Sequence, residues 1–169
     1  VELHCWIGTD ERGKAVRSHL EASGVRLAPG ADGATRTSTA QATIGEDRAA
    51  SYVFDLDWNP PRPTLPDGQA PLLVHTGSIA AILAPGAATV EQVLRETRAT
   101  STIAYDPNAR PQLRGDPEDA RQIVERLVGL SDLVKCSDED IAWLYGRDAD
   151  LETVLRSWLD KGVAVVVVT

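Results

Sequence analysis

From residue 72 onward the chain alternates between short apolar runs and longer stretches whose apolar residues recur at helical spacing. The runs fall at 72–76, 102–105, 133–136 and 163–169, each a strand's length. Between them, Asp116-Pro117 opens a stripe of Ala120, Ile123, Val124, Leu127 and Val128, and Ser137 opens one of Ile141, Leu144 and Tyr145, which Gly146 ends. A third amphipathic stretch covers 151–159, and Thr89 reads as the N-cap of a helix over 90–99. Asp at the N-cap followed by Pro is a strong helix start. Strands separated by helices must pair in parallel through right-handed crossovers. The valine-rich run 163–169 reads as a strand buried on both faces. The class is therefore α/β, a mostly parallel sheet flanked by helices.

The first third follows another pattern. Residues 3–7 read as a strand, Gly8 to Gly13 as a turn, and 12–23 as a helix closed by Gly24. The segments 37–44 and 50–58 flank Gly45-Glu-Asp-Arg48. In the second of them Tyr52, Phe54, Leu56 and Trp58 alternate with Ser51, Val53, Asp55 and Asp57. That period of two predicts a half-buried antiparallel hairpin. A proline-rich connector from Asn59 to Pro71 cannot join a central ladder.

Composition excludes several functions. A net charge of −8 opposes a broad nucleic-acid footprint. No apolar run reaches membrane-spanning length, and no basic segment followed by an apolar stretch marks a secretory signal. Cys5 and Cys136 lack zinc spacing; they are expected to be buried thiols in a cytoplasmic protein. The chain begins at Val1 without a methionine and stops directly after an apolar run, so we expect a piece of a larger protein.

Ligands in open α/β sheets bind beyond the carboxyl ends of the strands. Here one strand ends in Tyr105-Asp-Pro-Asn-Ala-Arg110. Arg110 suits phosphate, Asn108 can donate or accept, and Asp106 is a carboxylate at the strand end; alternatively Asp106 caps the turn and Arg110 forms a surface ion pair. His75 precedes Gly77-Ser78 at another strand end, either facing the crevice or satisfied within the fold. The Gly8–Gly13 turn lacks both phosphate-loop patterns.

The order of these parts resembles the middle of sugar kinases of the ribokinase (PfkB) family, in its fructokinase branch. The resemblance is carried by Ile7-Gly-Thr-Asp-Glu-Arg-Gly13, Ser23-Gly-Val-Arg26, the segment 37–44, His75-Thr-Gly-Ser78, Tyr105-Asp-Pro-Asn-Ala-Arg110, Val134-Lys-Cys-Ser-Asp-Glu-Asp140 and Val165-Val-Val-Val-Thr169. It implies a ribokinase-like fold in which 1–35 and 60–169 form part of an α/β core and 36–59 a β lid hairpin, often a dimer surface. It implies transfer of the ATP γ-phosphoryl group to a sugar hydroxyl with Mg²⁺, fructose being the expected sugar and 2-keto-3-deoxygluconate the alternative. Arg110, Asn108, Asp106 and His75 would bind sugar or phosphate, and Ser137 and Thr169 would lie toward the nucleotide. Asp140 falls where the family has the glutamate of an Asn-x-x-Glu motif and would reach Mg²⁺ through water. A plain helix cap explains Ser137 and Asp140 equally well. The family's Gly-Ala-Gly-Asp motif, with its catalytic base, would follow Thr169. A non-catalytic, kinase-derived binding module that dimerises through the hairpin is the competing expectation.

Overall fold

The computed structural model describes residues 1–44, 50–64 and 70–169. They form two compact units, Val1–Thr64 and Leu65–Thr169. The boundary falls inside the proline-rich connector. The hairpin turn expected at Gly45 to Arg48 and part of the connector lie outside the described residues.

In the first unit, β1 (Glu2–Leu3) is shorter than the strand expected at 3–7. α1 (Glu11–Ala22) follows, and the chain returns in β2 (Arg26–Leu27), which pairs in parallel with β1. β3 (Thr39–Ile44) and β4 (Ala50–Asp55) form the expected antiparallel hairpin, with Thr39 opposite Asp55 and Ile44 opposite Ala50. Tyr52 stacks on Phe54 with ring centroids 5.8 Å apart. The hairpin is not half-buried: Ile44 is 74% exposed, Val53 70% and Tyr52 45%. Two strands alone have no sheet behind them to bury one face.

The root of the hairpin is fastened to α1 by one carboxylate. Asp10, the N-cap of α1, accepts N–H bonds from Gly13 at 2.8 Å and Thr37 at 2.8 Å, and the Thr37 hydroxyl at 2.7 Å. Beside it, the Ser38 hydroxyl and the Asp57 backbone exchange bonds of 2.9 and 3.0 Å, and Arg36 pairs with Asp55.

In the second unit, β5 (Leu73–Gly77), β6 (Thr102–Asp106), β7 (Leu133–Cys136) and β8 (Val165–Val168) make an all-parallel sheet in that spatial order. α2 (Ser78–Ile82) and α3 (Gly86–Thr97) connect β5 to β6, and α4 (Pro111–Arg114) and α5 (Pro117–Val128) connect β6 to β7. α6 (Asp138–Tyr145) and α7 (Leu151–Leu159) lead to β8. Thr89 lies inside α3 and caps nothing; the helix begins three residues earlier, behind Pro85 and without a side-chain cap. Ile103, Tyr105, Val134 and Cys136 pack with Leu94, Val124, Leu127, Leu144 and Trp158 into one core. Burial of such side chains contributes roughly 1.5–3 kcal/mol each.

β8 departs from the expected two-sided burial. Val165 and Val167 are each 47% exposed. With strands in sequential order, crossovers of one hand all lie on one face, and the other face of this unit carries His75, Leu133, Lys135, Val165 and Val167 around a hollow of about 260 Å³.

The bonds from Thr37 and Gly13 hold the Asp10 carboxyl at about 2, below its ordinary 3.8. A carboxylate depressed in the folded state contributes stability above its unfolded pKa and loses it as pH falls through the folded value. The urea midpoint is therefore expected to drop between about pH 4 and pH 2, and Asp10→Ala is expected to lower it at neutral pH while removing that part of the decline.

Candidate active site

The carboxyl ends of β5, β6, β7 and β8 line one edge of the sheet, and the sequence-predicted residues gather there except for one. In register, Gly77 faces Asp106 across the β5–β6 pair. A Cβ on Gly77 would stand 2.2 Å from the Asp106 carbonyl oxygen, so only glycine lets the two tips close. Ser78 follows, and its hydroxyl donates to the Asn108 carbonyl at 3.2 Å.

The Asp106 carboxylate accepts the Asn108 N–H at 3.1 Å, an Asx turn across Pro107. Its other oxygen lies 3.4 Å from the Lys135 ammonium on β7. Asn108 sits at φ +38°, a left-handed conformation that asparagine tolerates better than most residues. Arg110 folds back over this turn. Its Nη1 donates to the Asn108 carbonyl (3.0 Å), the Asn108 side-chain oxygen (2.7 Å) and the Ala109 carbonyl (2.9 Å). All three acceptors are neutral. Among the described residues no ion pair of Arg110 is found, while Asp106 does shape the turn.

Ser137 and Asp140 form a capping box at α6: the Ser137 hydroxyl accepts the Asp140 N–H at 3.1 Å, and Asp140 accepts the Ser137 N–H at 2.9 Å. The second Asp140 oxygen accepts the Ala109 N–H at 2.7 Å. Thr169 joins the same edge, donating to the Cys136 carbonyl and accepting from Asp138 N–H, each at 3.1 Å. His75 is not brought to the tips. It stands two residues short of the end of β5, in a row with Ala104, Leu133 and Val165 on the open sheet face.

Behind the tips lie two buried protic groups. Burial, with Asp140 and Asp106 nearby, pushes the Cys136 thiol up to about 12, so it is protonated and inert; Cys5 is half-buried. The Tyr105 hydroxyl is buried and finds no hydrogen-bond partner among the described residues, and burial beside the same carboxylates raises its pKa. Sequence reasoning missed Gly77 as a contact residue, Ser78, Lys135 and Tyr105. The Gly77-Ser78 turn was the available signal for the first two. Lys135 could be found only from strand register.

The full chain, residues 1–169, matches the family model described as pfkB family carbohydrate kinase. The chain belongs to the pfkB carbohydrate kinase family. It is 32% identical over 168 residues to a fructokinase of Rhizobium leguminosarum bv. trifolii, covering 96% of this chain and 51% of the relative. A fructokinase of Klebsiella pneumoniae is 30% identical over 162 residues, covering 89% of this chain and 51% of the relative. This pfkB chain thus spans about half the length of those proteins. Among solved structures, apo fructokinase from Vibrio cholerae O395 superimposes with a TM-score of 0.77 at 26% identity, over 99% of this chain and 60% of that one. The form of that enzyme with fructose, ADP and calcium ion gives a TM-score of 0.76 at 24% identity, over 99% of this chain and 56% of that one. The fold is ribokinase-like.

Gly77→Ala is expected to destabilise the protein by about 1–3 kcal/mol, because the obstructing atom is main chain and cannot rotate away. Urea denaturation of the intact gene product, followed by tryptophan fluorescence, measures it.

Proposed function

We propose that the protein carrying this chain is an ATP- and Mg²⁺-dependent sugar kinase that phosphorylates fructose. The observation that carries this reading is Arg110: a guanidinium held at a strand tip by neutral oxygens, its charge uncompensated in those contacts, in a pfkB chain related to fructokinases. Phosphoryl transfer is catalysed mainly by positioning and by positive charge at the transferring group. Arg110 supplies that charge, and Asn108 and Asp106 present an amide and a carboxylate to the sugar hydroxyls. Ser137 and Thr169 lie toward the nucleotide. Each of these residues binds or orients; none is assigned the removal of the hydroxyl proton.

The β3–β4 hairpin serves as a lid and as the surface of a homodimer. Its exposed Ile44 and Tyr52, which the register places on one face of the ribbon, support that reading, since apolar side chains exposed together favour a partner. We assign the protein to the cytoplasm, with no nucleic-acid or membrane partner. Among the described residues no helix is long and apolar enough to cross a membrane.

ADP release by the intact gene product with ATP and Mg²⁺ is expected with fructose and not with ribose or nucleosides. Turnover on 2-keto-3-deoxygluconate instead would reassign the sugar, and none on any of them would support the non-catalytic module. Arg110→Ala is expected to lower kcat/KM by roughly 10²-fold or more with unchanged thermal unfolding. Unaltered kinetics would return Arg110 to an ordinary surface charge. Tyr52→Glu is expected to shift the protein from dimer to monomer by light scattering.

A further inference from the structure

Asp140 occupies the place where a pfkB kinase is expected to carry a carboxylate that reaches Mg²⁺ through water. Its surroundings do not fit that use. One oxygen accepts the Ser137 N–H at 2.9 Å and the other the Ala109 N–H at 2.7 Å, and the residue is 7% exposed. Turning outward toward a hydrated cation would strip two main-chain donors of their acceptor, which is costly in a buried setting. Aspartate is also one methylene shorter than the expected glutamate. Among the described residues no three His, Cys, Asp or Glu side chains cluster as a metal site.

We propose that Asp140 is a positioning residue, which latches the Asp106–Arg110 tip onto the start of α6 and is not a ligand of the metal's water shell. The contacts around Arg110 support the assignment. Its Nη1 is drawn onto oxygens of Asn108 and Ala109, so its aim depends on where those two residues stand. Asn108 is held by Asp106 and Ser78. Ala109, directly before Arg110, is held by Asp140 across 31 residues of sequence. A carboxylate accepting a main-chain N–H makes a short, charge-assisted bond, and its loss lets the tip drift. Displacements near 1 Å in a positioned group are enough to cost up to about 10²-fold in rate.

The catalytic part of this inference rests on the kinase reading; the latch itself does not. The test uses Asp140→Ala and Asp140→Asn in the intact gene product. With the alanine, hydrogen exchange of the Ala109 amide is expected to accelerate at least tenfold while that of Ile103, in the middle of β6, is unchanged. The kcat/KM for the sugar is expected to fall at least tenfold, and the half-saturating Mg²⁺ concentration to stay within twofold. Asparagine, which keeps one acceptor oxygen, is expected to give smaller changes in the same direction. A tenfold rise in half-saturating Mg²⁺ would overturn the proposal, and so would unaltered Ala109 exchange in both variants. Should the wild type phosphorylate no sugar, the kinase reading fails, and the Ala109 exchange rate still decides for or against the latch.

Discussion

Strands β5 to β8 lie side by side in the order in which the chain makes them, all parallel. Each crossover must therefore carry the chain back from the carboxyl end of one strand to the start of the next, over the same face. One consequence is the core, in which residues of β6 and β7 pack against helices α3, α5, α6 and α7. Another is that every strand ends on the same edge. There a strand turns into a helix or loop, and main-chain N–H groups are left without strand partners. The candidate site is what this chain has built from those exposed donors.

Short carboxylates accept several main-chain N–H groups, at these tips and elsewhere in the chain. Asp10, Asp106, Asp116, Asp140 and Asp150 each accept a main-chain N–H within a few residues or at a neighbouring tip, and Asp132 takes the Ile103 N–H at the opposite end of β6. Glutamates are used differently: Glu91, Glu118 and Glu152 pair with Arg95, Arg121 and Arg156 one helical turn away. Such exposed pairs contribute at most about 1 kcal/mol each. Part of the chain's acidic balance is thus spent on fastening the backbone and on helix-surface pairs.

Local patterns made the strands, the amphipathic helices, the hairpin and the strand-tip motif legible in sequence, since burial imposes period two or 3.6 on the residues themselves. What was not legible depends on the strand order or on distant partners. A run of valines says that a strand is apolar; whether both faces are covered is decided by the side on which the crossovers fall, and Val165 and Val167 show the difference. His75 is near the tip in sequence, yet its place in the register puts it in a row with Ala104 and Leu133. Thr89 has the chemistry of a cap, but α3 was already under way from Gly86. Asp140 could be read as the third position of a capping box; its bond to Ala109 joins separate βα units and leaves no trace in either segment.

These fasteners also explain why Arg110 differs from the arginines paired along the helices. Arg95, Arg121 and Arg156 spend their charge on a nearby glutamate. The Nη1 of Arg110 is turned instead onto two carbonyls and an amide oxygen, groups that orient a guanidinium without neutralising it. The carboxylates on either side could have done so. Asp106 is taken by the Asn108 N–H and Lys135, and Asp140 by two main-chain N–H groups. With the local anions committed to main-chain N–H groups and to Lys135, neutral oxygens alone set the direction of Nη1 in these contacts. On the kinase reading proposed above, orienting it in advance would remove part of the cost of binding that a mobile arginine would bear.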